Sequence, residues 1–302
     1  MRFSRATVAA LMLALCPAAL LAQNAPHDKA YWRAIAKDNY AVPTDQSAGA
    51  LAREVSQLLG SPDPELRDDL AYSILVRWIY RLKVMPTPDL LALTDEWRDN
   101  LKIGIGESGT NSVLKRSFSA LCLSLMANRE AKAPFLGEQR YHQLVADAVT
   151  YLQSERDLRG YDGTLGWIHA NAHTADLLQA LAHSPMQTKD EENSILAALA
   201  TRLSTAPQVY TQGEQDRMAG ALLAVIQRPT FAAAPFENWL KAVEDEDKQV
   251  WAIPLTPESL ARFQNHTYFL QALSVRLALE PESPRVTDFR TRVLAILRTR
   301  LD

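Results

Sequence analysis

The densest run of chemically capable side chains is Trp167-Ile168-His169-Ala170-Asn171-Ala172-His173-Thr174-Ala175-Asp176. On a helix His169 and His173 stand four apart and share a face, with Asp176 about one turn further along it. Two imidazoles at that spacing can hold one divalent metal such as zinc, and Asp176 could be a third ligand or orient His173. No Glu follows the first His directly, so the pattern is not that of the helical metalloproteases. A further ligand would have to come from Glu107, Asp157, Asp162 or Glu214. With Glu107 or Asp157 as base, such a set would suit a metal-assisted hydrolase. The plainer reading is a pair of structural histidines that hydrogen-bond across helices.

Just upstream, Ser154-Glu155-Arg156-Asp157-Leu158-Arg159-Gly160-Tyr161-Asp162-Gly163 packs charge into a loop whose glycines permit a tight turn. It is either a functional loop on a rigid scaffold or a capping network in which Asp157 pairs with Arg159. Gly104-Ile105-Gly106-Glu107-Ser108-Gly109 matches the dinucleotide fingerprint in letters only. That motif requires a preceding strand, and here a helix precedes it, so the glycines read as a turn that exposes Glu107. Ser73, Ser117 and Ser119 sit within helical runs, where serine is ordinarily just tolerated. The acidic run Glu244-Asp245-Glu246-Asp247-Lys248 reads as a solvated turn.

The elements that must position these groups are helical. In Pro64 to Lys83, apolar residues recur at three- and four-residue steps through Leu66, Leu70, Ile74, Leu75, Trp78 and Leu82. Similar periodicity predicts helices over 111–127, 138–156, 165–183, 191–203, 215–227, 257–279 and 285–301, separated by Pro- and Gly-rich breaks. No run alternates as a strand does, so the fold class is all-α. Offsets of 48, 54, 48 and 48 residues from Arg67 align one apolar column, Leu75, Leu123, Leu177, Val225 and Leu273. They also align a polar column, Arg67, Lys115, His169, Arg217 and Asn265. A helix pair repeating at about 48 residues predicts a right-handed stack resembling an armadillo or HEAT α-solenoid. The polar helix starts would then line a groove suited to a small molecule or a peptide. Arg67, Arg116, Arg159, Tyr161, Trp167 and Arg217 are the side chains expected to meet such a ligand.

The ends and the charge set the remaining expectations. Arg2 and Arg5 precede an apolar stretch, Thr7 to Ala22, before polar sequence resumes at Gln23. That order predicts a secretory leader over residues 1–22, cut after Ala22, and a periplasmic or secreted product with no remaining membrane span. A single α-helical domain over residues 23–302 would follow. Losing Arg2 and Arg5 from 32 basic residues leaves 30 against 35 acidic, a net charge near −5. A mildly acidic chain without a basic block is a poor nucleic-acid binder. Cys16 would leave with the leader, and Cys122 alone would be a buried apolar residue that forms no internal disulfide.

Several blocks together resemble a known family. They are Arg67-Asp68-Asp69-Leu70-Ala71-Tyr72; Gly104-Ile105-Gly106-Glu107 with Arg116-Ser117-Phe118-Ser119-Ala120; and Asp157-Leu158-Arg159-Gly160-Tyr161 with Gly166-Trp167 and His169-x3-His173-x2-Asp176. This set is similar to the bacterial domain of unknown function 2785, over roughly Ser61 to Leu273. Ile168, Asn171 and Thr174 depart from its pattern, while both histidines are kept. The resemblance implies one α-helical domain and carries no activity. The residues thus leave two functional readings open, a binding module with a polar groove and, as alternative, the hydrolase.

Overall fold

The computed structural model describes residues 26–251 and 254–300; the expected leader and its Cys16 lie outside the described residues. Helix α1, Lys29–Lys37, opens where the Asp28 carboxylate accepts the Tyr31 N–H, and α2, Ala48–Ser56, where Ser47 accepts from Ala50. After a short 3₁₀ turn, Glu65–Tyr72, Ser73–Leu75 and Val76–Arg81 form one continuous helix, α3, wound as π-helix in its first and last parts. There follow α4, Thr87–Asn100; α5, Ser112–Lys132; and α6, Gly137–Ser154. Strands β1, Tyr161–Asp162, and β2, Gly166–Trp167, make a small antiparallel hairpin with Tyr161 opposite Trp167. The chain continues through α7, Ala170–Ala182; α8, Lys189–Thr205; α9, Glu214–Ile226; α10, Ala233–Val250; α11, Pro257–Leu279; and α12, Pro284–Arg298.

The fold is helical as the periodicity predicts, with three local corrections. The run expected to be helical from Leu165 begins its helix only at Ala170. The Asp162 carboxylate accepts the N–H groups of Thr164 and Leu165 at 2.8 Å, and Gly166 takes φ +70°, so a turn outcompetes the helix there. The acidic run 244–248 is not a turn but part of α10, held by i,i+4 pairs of Lys241 with Asp245 and of Lys248 with Glu244. Helices α1, α2, α4 and α10 stand outside the runs singled out by periodicity.

Packing explains why the apolar column exists. Helices α3, α5, α7, α9 and α11 pack each on the next, while α4 packs on α5, α6 on α7, α8 on α9 and α10 on α11. Leu75, Leu123, Leu177, Val225 and Leu273, one from each member of the first series, are all fully buried. Cys122 is buried among them, and burial pushes its thiol well above the ordinary value.

Helix ends inside this packing need partners for their last carbonyls. Arginines from later helices or turns supply them. Arg202 donates to Leu152 O and Glu155 O at the end of α6. Arg228 donates to Ala182 O and Ser184 O at the end of α7, and Arg285 to Ile226 O at the end of α9. No helix among the described residues is long and apolar enough to cross a membrane.

The buried column carries a direct prediction. Leu177→Ala removes a fully buried side chain from a helix packed on both neighbours, and is expected to lower unfolding free energy by about 2–5 kcal/mol in urea denaturation. A loss below about 1 kcal/mol would show that this column is not the packing seam.

Candidate functional site

The loop after α6 is built on a buried ion pair. Arg116, fully buried on α5, donates from Nε and Nη2 to the two carboxylate oxygens of Glu155 at 2.6 and 2.9 Å. Glu155 Oε1 also accepts the N–H groups of Arg156 and Asp157, both at 2.8 Å. The remaining Arg116 donors reach Ser112 Oγ, Ile103 O and Glu107 O. A pair this deeply buried is tolerable only because its lone pairs and protons are satisfied.

Asp157, also fully buried, extends the network. Its carboxylate accepts from Gly109 N–H at 2.9 Å and from Arg159 Nη2 at 2.6 Å, and Arg159 in turn donates to Thr110 O. Burial works to raise this carboxyl, but Arg159 and two backbone N–H groups outweigh it and hold it below its ordinary value. Asp157 is thus poorly placed to act as a base. Glu107 caps the same turn, accepting from Ser112 and Thr110 hydroxyls that hold its carboxyl low.

From this anchor the hairpin 161–167 projects. Gly160 lets the 212–214 loop approach, since a Cβ there would fall 2.4 Å from Gln212 Cγ. Gly166 combines φ +70° with a Cβ position 2.9 Å from Pro64 Cβ, so a side chain there is excluded twice. Arg67, fully buried on α3, donates to Leu165 O, Trp167 O and Ser61 O and lies over the Phe118 ring at 4.8 Å. Beneath the hairpin, Val113, Leu114, Ile168 and Ala170 form a separate small apolar cluster. The two rings on top stay in solvent: Tyr161 is 55% and Trp167 41% exposed. They meet edge to face, centroids 5.0 Å apart at 72°.

The two histidines are brought together, though not on one helix. His173 lies on the first turn of α7, whereas His169 is the residue before it, held left-handed at φ 51°. Trp167 stacks on the His169 ring at 4.7 Å, and the His169 and His173 ring centroids are 5.7 Å apart. Their hydrogen bonds fix the tautomers. His169 Nε2 donates to Gln212 O at 3.0 Å, with Glu214 Oε1 at 3.4 Å. Ser117 donates its only proton to Ile168 O, so it must accept from His173 Nδ1, 2.8 Å away. Burial, reinforced by nearby His169 and Arg217, holds His173 well below its ordinary pKa and therefore neutral. Neutral His173 is left with a lone pair on Nε2 that no group among the described residues engages.

This geometry decides against two kinds of chemistry. Ser117 and His173 are not a nucleophile and its base, because the serine is fully buried and the proton runs from histidine to serine. Nor do His169, His173 and Asp176 form the expected metal site. Asp176 turns instead to Arg217, Nη1 to Oδ2 2.6 Å, and no three His, Cys, Asp or Glu side chains converge for a metal among the described residues. The hydrolase reading therefore finds no support in the arrangement.

The polar column of helix starts also serves another purpose than lining a groove. Arg67 holds the hairpin, and Asn265, fully buried, bonds Tyr210 N–H and Gln208 O. Arg116 is likewise enclosed, while Arg159, Tyr161, Trp167 and Arg217 reach solvent. No local sequence pattern marks the roles of Glu155, Ser117 or Asp68. Asp68, on the π-wound start of α3, lies 2.7 Å from Arg67 Nε, yet burial pushes its carboxyl up to about 6. π-helical turns often mark functional positions, and that winding is the structural signal for Asp68. Among the departures from the family pattern, Ile168 fills the small cluster and Thr174 donates back to Ala170 O.

Two tests follow. Glu155→Ala strands the buried Arg116 charge and is expected to cost about 3–5 kcal/mol of stability in denaturant titration. A neutral result would mean that water or another acceptor replaces the carboxylate. The second test uses pH. Below the ordinary value of 6.5 the unfolded chain protonates His173 while the folded chain does not, so its contribution is lost as pH falls. Asp68 acts oppositely, taking up a proton in the folded state near pH 6, above its ordinary 3.8, and favouring the fold as pH falls. Asp68→Asn protein should therefore lose stability below about pH 6 more steeply than Asp68→Asn/His173→Gln, by up to about 1.4 kcal/mol per pH unit. Parallel curves would show that His173 is not held neutral.

No curated protein and no solved structure matches the chain. The family described as "Protein of unknown function (DUF2785)" matches residues 101–275, from the end of α4 to within α11, a shorter stretch than the Ser61 to Leu273 of the resemblance. The match takes in the ion-pair loop, the hairpin and both histidines. It covers more than half of the chain, and the protein belongs to the DUF2785 family.

Proposed function

We propose that the protein is an exported helical-repeat binding module whose ligand face is the hairpin together with the histidine pair. One observation carries this reading. Tyr161 and Trp167 are held in solvent, 55% and 41% exposed, by a support that is buried almost throughout, namely Glu155, Asp157, Arg67, Arg116 and Ile168. Large aromatic rings fixed at the surface by such a framework lose little conformational entropy when something stacks on them. A loop serving packing alone would turn those rings inward.

The consecutive packing of α3, α5, α7, α9 and α11, with a second helix behind four of them, supports a right-handed armadillo- or HEAT-like stack. In such a stack the ion-paired Asp176 of α7 and Arg217 of α9 continue the face away from the hairpin. The basic start and apolar stretch before Ala22 support export. Protein recovered from the periplasm is expected to begin at Gln23 by intact mass. A chain that retains Met1 would overturn the export reading.

The binding reading is tested by ligand-observed NMR against two panels, short peptides and small saccharides, on the natural protein and on Trp167→Ala. We expect at least one compound to bind the natural protein and to weaken at least tenfold in the variant, with the melting temperature unchanged. Silence from both panels, or equal binding by both proteins, would overturn it.

A further inference from the structure

We propose that the exposed face of α11 is an interface between two copies of this chain, which meet through it as an antiparallel, two-fold symmetric helix pair. The inference stands apart from the hairpin and rests on how the helix series ends.

α11 is the last member of the series in which α3, α5, α7, α9 and α11 pack each on the next. On α9, Gly220, Leu223 and Ala224 are buried, and a Cβ on Gly220 would fall 3.1 Å from Arg276 Nη1 of α11. α11 thus helps to cover that face. The residues 48 positions on, Tyr268, Gln271 and Ala272, hold the same places on α11. α11 packs on α8, α9, α10 and α12, yet these places stay open to solvent, with Tyr268 44% exposed.

The open places belong to one stripe. Gln264, Tyr268, Ala272, Val275 and Leu279 follow at steps of three and four, with Gln271 beside them, so all six lie on one helix face. Val275 is 59% and Leu279 80% exposed. A series of packed helices needs a polar outer face at its end to stay soluble alone, and this face is largely apolar instead.

Charge selects the occupant. None of the six residues is charged, although 22% of the chain is. The charged side chains flanking the stripe turn back to their own chain. Arg276 donates to both Asp216 carboxylate oxygens at 3.0 and 2.8 Å, and Arg262 faces Glu246 at 3.8 Å. A partner recognised by its charge finds no counterpart there. A second copy brings the same neutral stripe, so the contact holds no like-charge pair.

The residue order is also self-complementary. With two stripes antiparallel about an axis between Gln271 and Ala272, Tyr268 faces Val275 of the partner subunit and Gln264 faces its Leu279. Each tyrosine ring then meets an aliphatic side chain. The two Gln271 amides meet across the axis, where each can donate to and accept from the other. Beside Tyr268 and Ala272 a groove of about 450 Å³ runs along the 209–216 segment, and in this register Gln271 and Val275 of the partner subunit face it. From Gln264 to Leu279 the stripe is about 22 Å long. One helix on another over that length lies at the small end of specific interfaces, below about 1,200 Å² in total, so the pairing is reversible.

The test is sedimentation velocity on the natural protein over roughly 5–500 µM, the range in which so small an interface fills. A dimer is expected to grow in, and to hold or strengthen between about 50 and 500 mM salt, since it makes no ion pair. Val275→Lys sets a charge against Tyr268 of the partner subunit. It should weaken dimerisation at least tenfold with the melting temperature unchanged, because Val275 is already in solvent. Gln271→Cys should form an inter-chain disulfide on oxidation, Cys122 being buried, and Gln271→Cys/Val275→Lys should not. A monomer at every concentration would overturn the proposal, as would a dimer that Val275→Lys leaves intact or that salt dissolves. A monomer that binds an uncharged amphipathic helical peptide instead would assign the stripe to another protein and equally overturn the second copy.

Discussion

The structure around the site depends on one constraint, the burial of the Arg116 guanidinium against the Glu155 carboxylate. Neither charge could stay in the interior alone, since removing an ion from water costs several kcal/mol even after relaxation. Their two-point contact and the backbone N–H groups of Arg156 and Asp157 offset that cost only in one geometry. The end of α6 is thereby tied to the start of α5. Arg202 draws on the same turn from α8 through Leu152 O and Glu155 O. Three helices meet at one carboxylate-bearing turn, and the hairpin leaves from it with little freedom.

From that turn, order passes to the site through hydrogen bonds rather than through apolar contact alone. Asp157 holds Arg159 and Gly109; Arg159 O accepts the His169 N–H at 3.1 Å, and Gly160 O accepts the Ile168 N–H at 2.8 Å. His169 is left in a left-handed backbone conformation, unfavourable for a side chain with a Cβ. The surrounding bonds over-determine that conformation, which is how such backbone strain persists. Val113, Leu114, Ile168 and Ala170 form a small apolar cluster of their own, apart from the main core.

Much of this was legible in the sequence, and the remainder was hidden for definite reasons. The period of apolar residues located α3, α5, α7, α9 and α11, because each buries one stripe against its neighbours and the stripe is written locally. The short reach of α7 was not written that way. Alanines 170, 172 and 175 read as helix in either register, and only the Asp162 turn and Gly166 decide where the helix starts. Asp157 and Arg159 drew attention within a charge-dense loop, and Arg116 within a block that resembles the family. Their partner Glu155 did not, since its pairing spans 39 residues and leaves no local pattern. Asp176 looked like a third member of the histidine set because it shares their helical face. Arg217, 41 residues on, claims it instead.

The histidine pair shows why residue types at a spacing do not by themselves name a chemistry. Two imidazoles near one another can be metal ligands, acid and base, or fixed acceptors, and the difference lies in where their protons go. Here the protons are assigned by groups of no chemical distinction: a serine hydroxyl already committed to Ile168 O, and the carbonyl of Gln212. Each of these directs one ring nitrogen to donate inward. On His173 the other nitrogen is then an acceptor by subtraction, because burial keeps that ring from gaining a second proton. Hydrogen-bond direction at this pair is thus set by the residues behind the histidines rather than by the histidines themselves.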